Sequence, residues 1–275
     1  MTEAAHGLAP PWLQALLLGA VEGLTEFLPV SSTGHLILAG RALGFRSDAG
    51  RVFEVVVQLG AVLAVVGLYR ERLAQLGLGL VAGSATQRRF AASVVAALLP
   101  AAALGALLID AIKAHLFSPG VVAVALLAGG VVLLAAERRA AVTAPAPAGA
   151  APTWPQVLAV GVAQCFALVP GVSRSGATIV GGMLSGMSRQ AATEFSFFLA
   201  MPLLLGAASY DLWRHRQLLS AADLHLMVVG FAAAFFAARL SVQALLRFVA
   251  THSLRSFAFY RIALGLALLG GQAFD

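Results

Sequence analysis

The sequence predicts an all-α integral membrane protein built as an inverted-topology repeat, with six transmembrane helices and two re-entrant hairpins made of broken helices. Three observations carry that expectation. Of the 275 residues 60% are hydrophobic and 11% charged, with a mean hydropathy of +0.90, whereas a soluble domain carries roughly 25% charged residues. Apolar runs at 52–69, 91–110, 120–136, 195–212, 222–238 and 256–273 are each long enough, or nearly so, to cross hydrocarbon at about 20 residues per helix. Finally, a shift of 142 positions pairs Gly19 with Gly161, Ser31 with Ser173, Gly34 with Gly176, Gly40 with Gly182, Gly44 with Gly186 and Phe53 with Phe195. Identities at one constant offset mark a duplication.

The six runs read as helices because a helix satisfies its own backbone in lipid. Residues 12–44 and 155–186 are apolar but are interrupted near the middle by proline, glycine and hydroxyl residues. Each reads as two half-helices around a polar break. Residues 140–153, rich in alanine and proline, read as a linker. The chain therefore divides into a first repeat (1–139), the linker (140–153) and a second repeat (154–275). Three full spans separate the two broken regions. That odd number requires the second repeat to be inverted, an arrangement that puts binding sites near the bilayer midplane.

Six spans place both termini on one side. Ten basic residues (Arg70, Arg72, Arg88, Arg89, Arg138, Arg139, Arg189, Arg239, Arg247 and Arg255) fall on one face. Six (Arg41, Arg46, Arg51, Lys113, Arg214 and Arg216) fall on the other. The positive-inside rule then sets the termini outside the cytoplasm. Ahead of the first apolar run stand Glu3 and Pro10-Pro11 and no basic stretch, unlike a cleavable signal peptide. One cysteine, Cys165, excludes an intramolecular disulfide. The net charge of +6 fits anionic lipid or an anionic substrate. Scattered basic residues argue against nucleic acid, and a single lysine, Lys113, leaves no GxxxxGK[ST] phosphate loop.

The chemistry concentrates in the breaks. In the first, Glu22 and Glu26 lie four residues apart, on one helical face. Each costs about 2.5–3.5 kcal/mol at the centre of a span, so the pair calls for a cation or a shared proton. After Pro29 come Ser31, Ser32, Thr33 and His35, more polar groups than an N-cap needs. In the second break, Pro170-Gly171 precedes Ser173, Arg174, Ser175 and Thr178. Free amides at a helix start attract an anion, and a guanidinium fork matches phosphate oxygens. Brought together by an inverted repeat, the two breaks describe a phosphate site, with bridging Mg²⁺ or Ca²⁺ offsetting the carboxylates.

The segments Glu22-Gly23-Leu24-Thr25-Glu26-Phe27-Leu28-Pro29-Val30-Ser31-Ser32-Thr33-Gly34-His35 and Pro170-Gly171-Val172-Ser173-Arg174-Ser175-Gly176-Ala177-Thr178 resemble the two signatures of the bacterial undecaprenyl-pyrophosphate phosphatases of the bacitracin-resistance type. Phe53–Gly60, Glu194–Phe197 and Phe259–Ile262 are similar to further segments of that family. The resemblance implies hydrolysis of the terminal phosphate of a C55 isoprenoid diphosphate, at the outer face of the bacterial inner membrane, to recycle the lipid carrier of cell-wall precursors. On that reading Arg174, with Ser173, Ser175 and Thr178, holds the diphosphate, and Ser31 and Thr33 add hydroxyls. The nucleophile is Ser32 activated by His35, or His35 itself. Glu26 orients the histidine or holds the metal, and Glu22 holds the metal. An alternating-access transporter or flippase for an anionic lipid phosphate is the rival reading, since broken inverted repeats also build transporters.

Elsewhere, Met183, Met187 and Met201 read as packing, and Trp12, Trp154 and Trp213 as interfacial anchors. Gly40-x-x-x-Gly44 and Gly182-x-x-x-Gly186 predict close helix contacts, internal or across a homodimer. Glu54, Glu194 and Arg261 are expensive in a membrane and are expected to pair or to support the site.

Overall fold

The computed structural model describes residues 9–45, 50–140, 151–218 and 221–272. Most of the predicted linker, 141–150, lies outside them, as does Arg46. The described residues form eleven α-helices and no strand: α1 (Pro11–Thr25), α2 (Ser32–Leu43), α3 (Gly50–Leu68), α4 (Arg70–Val81), α5 (Ala85–Leu116), α6 (Pro119–Ala140), α7 (Trp154–Phe166), α8 (Arg174–Leu184), α9 (Arg189–Arg214), α10 (Ala221–Thr251) and α11 (Arg255–Gln272).

Among the described residues four helices are long and apolar enough to cross a membrane: Ala85–Leu108, Pro119–Ala140, Arg189–Arg214 and Asp223–Thr251. A fifth span results if α3 and α4, bent by 71° at Tyr69, count as one. The protein is a multi-pass membrane protein. The sixth predicted run falls on α11, which is 18 residues long and carries Arg255 and Arg261. Helix α4 was not legible in the sequence. Arg70, Glu71, Arg72 and Gln75 dilute its leucines, and the helix buries no residue at all, so no apolar run betrays it.

Both predicted breaks are present. Helix α1 ends at Thr25, ahead of Pro29, whose missing N–H and fixed φ oppose further helix; α2 restarts at Ser32. Helix α7 ends at Phe166, and α8 restarts at Arg174 after Pro170-Gly171. Helix α1 packs on α10 while α7 packs on α5, and α3 contacts both α10 and α9. The leading helix of each sequence half thus rests on a helix of the other half. Two clusters result: in the larger, Phe27 and Val62 join Val160, Leu199 and Leu254, and in the smaller, Ala15, Leu18 and Phe53 join Met227 and Ala234. Met183, Met187 and Met201 are buried in the larger cluster, and Trp12, Trp154 and Trp213 are exposed near helix ends.

The α1–α10 contact is backbone to backbone. A Cβ on Gly19 would stand 2.2 Å from the carbonyl oxygen of Gly230, and one on Gly23 would stand 2.3 Å from that of Ala234. Without a hydrophobic driving force in lipid, such close approach supplies the packing that joins helices. The predicted glycine pairs behave differently. Gly182 is tight against Ala192 and Met187, but Gly40 has open space around it. Gly44 and Gly186, with φ of 64° and 92°, follow helix ends rather than packing faces. An internal contact is therefore present at Gly182, Gly44 and Gly186 serve the turns, and Gly40 makes no contact within the chain.

Gly19→Val is expected to lower the melting temperature in detergent markedly, since overpacking costs about 1–3 kcal/mol or more. Gly40→Val, facing open space, should melt within a degree or two of the parent protein. Equal melting of the two variants would contradict the packing described.

Candidate functional site

Two serines open the two restarting helices in a conformation that side chains rarely adopt. Ser31 and Ser173, paired by the 142-residue offset, are the non-glycine residues with positive φ among the described residues, both at 72°. Each is the N-cap, of α2 and α8 respectively. Such strain, worth about 1–3 kcal/mol, persists where surrounding structure enforces it. Ser173 Oγ accepts from Gly176 N at 3.1 Å, and Ser31 holds its conformation with no side-chain cap bond.

Glu26 joins the two loops. Its Oε1 accepts from Arg174 Nη2 at 3.0 Å, and its Oε2 accepts from Ser32 Oγ at 2.5 Å. Both members of the ion pair are nearly enclosed, with side chains 11% and 7% exposed, so water screens the attraction little. Arg174 also donates from Nη1 to Ser196 O at 3.3 Å, and its guanidinium carbon lies 5.5 Å from the centre of the Phe27 ring. Its Nε is buried and donates to nothing. Glu22, one turn before Glu26, is also buried, and its Oε2 has no hydrogen-bond partner. Glu26, Glu54 and Arg174 all lie within electrostatic reach of it. An unused guanidinium N–H and an unused carboxylate oxygen stand in one polar cluster, and buried polar groups are rarely left so.

The remaining hydroxyls divide by partner. Ser175 Oγ donates to Leu28 O at 2.7 Å and lies 3.0 Å from Ser173 Oγ. Thr178 Oγ1 reaches Arg174 O at 2.9 Å and Ser196 Oγ at 2.7 Å. Both residues are fully buried and brace the loops. Ser31 and Ser32 are buried, whereas Thr33 is exposed. Ser32 and His35 share a helix face, but the Ser32 hydroxyl is paired with Glu26. His35 instead approaches Ser31 O through Nδ1 at 2.7 Å and Tyr260 Oη through Nε2 at 2.6 Å.

Arg261 is the functional residue whose place could not be read from the sequence. It is 1% exposed and has backbone carbonyls as its hydrogen-bond acceptors. Nη1 donates to Pro29 O at 3.2 Å; Nη2 donates to Gly171 O at 3.1 Å, Val172 O at 2.9 Å and Ala125 O at 3.2 Å; Nε donates to Leu126 O at 3.4 Å. One planar fork thereby holds both breaks and α6 together. Room for it comes from Gly129 and Gly176, where a Cβ would lie 2.0 Å and 3.0 Å from its nitrogens. Glu137, fully buried at the end of α6, anchors α11 from the other direction. It accepts from Arg189 Nε and Nη2, both at 2.8 Å, and from Leu254 N at 2.9 Å. The signal for Arg261 was a lone cation in an apolar run; nothing local to Glu137 marked it out.

Among the described residues no three Asp, Glu, His or Cys side chains converge as a metal cluster. The free oxygen of Glu22 suits a hard cation such as Mg²⁺ or Ca²⁺, which takes oxygen donors. Glu26 already has two partners, so further ligands would come from a bound anion.

Broken helices that enclose a serine–carboxylate–guanidinium cluster within an apolar bundle define the class: a multi-pass membrane protein with an embedded polar site. A family model described as bacitracin resistance protein BacA matches residues 15–267. The chain is 52% identical to an undecaprenyl-diphosphatase of Bordetella avium over 279 residues, covering 96% of this chain and 98% of that one. It is 53% identical to one from Cupriavidus metallidurans over 276 residues (94% of each chain), and 54% identical to one from Acinetobacter baumannii over 257 residues (94% of each). The chain belongs to the BacA family.

Arg261→Lys keeps a positive charge but cannot serve the carbonyls of Pro29, Gly171 and Val172 together, and a buried carbonyl left unpaired costs about 1–3 kcal/mol. The variant is expected to melt well below the parent in detergent. Arg255→Lys, at an exposed position, should melt as the parent does.

Proposed function

We infer that the protein is an undecaprenyl-diphosphatase, a membrane phosphohydrolase that removes the terminal phosphate of the C55 isoprenoid diphosphate and returns the lipid carrier of cell-wall precursors. The observation that carries the reading is Glu26 bridging Ser32 and Arg174 (2.5 and 3.0 Å) across the two breaks, in a chain of this family. A polyprenyl tail explains why a phosphate site sits among apolar helices: the tail stays in lipid while the head group enters. Family membership favours hydrolysis over the transporter alternative.

In the mechanism we propose, the terminal phosphate takes the unused N–H of Arg174 and competes with Glu26 for the guanidinium. Preorganised donors at that point stabilise charge that grows on the phosphoryl oxygens. Ser32 Oγ attacks phosphorus and its proton passes to Glu26 Oε2, the atom it already touches. The bond from phosphorus to the bridging oxygen breaks, and the lipid monophosphate leaves. Water then attacks the phosphoserine and gives a proton to His35 Nε2, while Glu26 Oε2 returns its proton to the departing Ser32 Oγ and inorganic phosphate leaves. Ser173 fixes the α8 N-terminus, and Ser175 and Thr178 hold that loop in place; Ser31 and Thr33 complete the hydroxyl face of α2. Glu22 would hold a divalent cation, Mg²⁺ or Ca²⁺, which offsets diphosphate charge when bound.

The same reading includes six spans, two re-entrant hairpins and two inverted repeats, 1–139 and 154–275, joined by the 140–153 linker. The equal φ of Ser31 and Ser173 supports it, as does the exchanged packing of α1 on α10 and α7 on α5. It places the protein in the bacterial inner membrane with both termini and the site at the outer face, and leaves the open face at Gly40 to a homodimer.

Phosphate release from undecaprenyl diphosphate in detergent tests the reading. The purified protein should release phosphate, and EDTA should suppress the release. Arg174→Ala, His35→Ala and Ser32→Ala should each retain less than about a tenth of the parent rate, a bound that the loss of a general base such as His35, worth about 10²–10⁴-fold, readily meets. Glu22→Gln should be milder than Glu26→Gln, because Glu26 alone contacts both Ser32 and Arg174. Full activity of Arg174→Ala, or the reverse order of the two glutamate variants, would sink the assignment.

A further inference from the structure

We infer that Tyr260 is a positioning residue for His35, holding the imidazole so that a bare Nε2 points where a proton must be accepted; this rests on the phosphatase reading above. The two residues are 225 positions apart, yet the tyrosine hydroxyl lies 2.6 Å from Nε2. The rings are nearly parallel, 9° apart with centroids 5.6 Å from each other. At the other nitrogen, Nδ1 is 2.7 Å from Ser31 O. A carbonyl only accepts, so Nδ1 carries the proton of the neutral ring and Nε2 is left with its lone pair. Tyr260 therefore donates, and both ring nitrogens and one ring face are fixed.

The support reaches further into the fold. Tyr260 sits in the first turns of α11, beside Arg261, whose fork grips Pro29, Gly171 and Val172. Glu137 pins the start of the same helix through Leu254 N. The tyrosine is thus placed by the contacts that hold the two breaks. Tyr260 is itself 46% exposed, which suits a side chain whose hydroxyl yields its place to a water molecule when phosphoserine forms. In the resting protein the hydroxyl marks the direction of the Nε2 lone pair. The stacked ring alone leaves that direction free to drift, so water meets a correctly aimed Nε2 only where the hydroxyl has set it.

Tyr260→Phe separates this role from simple packing, because it preserves the ring and removes the hydroxyl. The parent melting temperature should be retained. With undecaprenyl diphosphate, kcat is expected to fall by about ten- to a hundredfold with KM changed less than twofold, short of the roughly 10⁴-fold lost when an orienting group forces the wrong histidine tautomer. Tyr260→Leu, lacking the stack as well, should fall further. In ¹⁵N-histidine spectra, assigned by comparison with His35→Gln, the Nε2 resonance of His35 should move toward that of a free imine nitrogen in Tyr260→Phe, while Nδ1 stays protonated against Ser31 O. Parental kcat in Tyr260→Phe, or an unmoved Nε2 resonance, would overturn the proposal. Absence of phosphate release from the parent protein would instead overturn the phosphatase reading, and the resonance would still report whether the tyrosine holds the histidine.

Discussion

The site depends on one buried cation that has no carboxylate among its hydrogen-bond partners. Arg261 lies at the meeting of the two chain breaks and is solvated by carbonyls of Pro29, Gly171, Val172, Ala125 and Leu126. Burying a charge without compensation costs several kcal/mol, so this arrangement exists only where enough acceptors converge. The breaks provide three of them, at Pro29, Gly171 and Val172, because interrupted helix ends leave carbonyls that no backbone amide claims, and α6 shares two of its own at Ala125 and Leu126. The breaks therefore supply what the arginine needs, and the arginine fixes the breaks against each other. Removing Gly129 or Gly176 would close the space its nitrogens occupy.

That mutual dependence explains why the polar chemistry is at the helix starts. Unbroken membrane helices satisfy all their interior amides and offer nothing to an anion. Helices α2 and α8 begin inside the bundle, each behind a serine at φ 72°, and so bring amides, hydroxyls and the Glu26–Arg174 pair into one volume. The strain at Ser31 and Ser173 is sustained by the packing around it, as strained backbone at functional sites generally is. In the proposed mechanism Arg174 exchanges Glu26 for a phosphate, which requires its loop to stay in place. Arg261, Ser175 and Thr178 keep the loop where it is.

Much of this was legible in one dimension, and the limits have physical causes. The breaks at Pro29 and Pro170-Gly171 were visible because proline and glycine interrupt apolar periodicity, and Ser31 and Ser173 were paired by a constant offset. An offset shows which segments are alike but says nothing about which segments touch, so the packing of α1 on α10 and of α7 on α5 was hidden. Tyr260 and Arg261 meet their partners over 225 and 232 residues, and no local pattern encodes such a meeting. Helix α4 escaped because it lacks a buried face. The glycine spacing did not separate Gly182, which is tightly packed, from Gly44 and Gly186, which serve turns, because glycine suits both roles.

The pairing of charges also orders events. Within the resting cluster Glu26 and Arg174 neutralise each other, which makes their joint burial tolerable, while Glu22 keeps an unpartnered oxygen beside them. A bare phosphate arriving at Arg174 would meet the carboxylate of Glu26, with Glu22 one turn away. A cation arriving alone would find only part of its coordination. Each ligand lowers the electrostatic barrier to the other, so binding of anion and cation should be cooperative, with the coupling felt equally from either side. On the proposed reading such a site would admit a charged head group together with its counter-ion and hold neither tightly by itself.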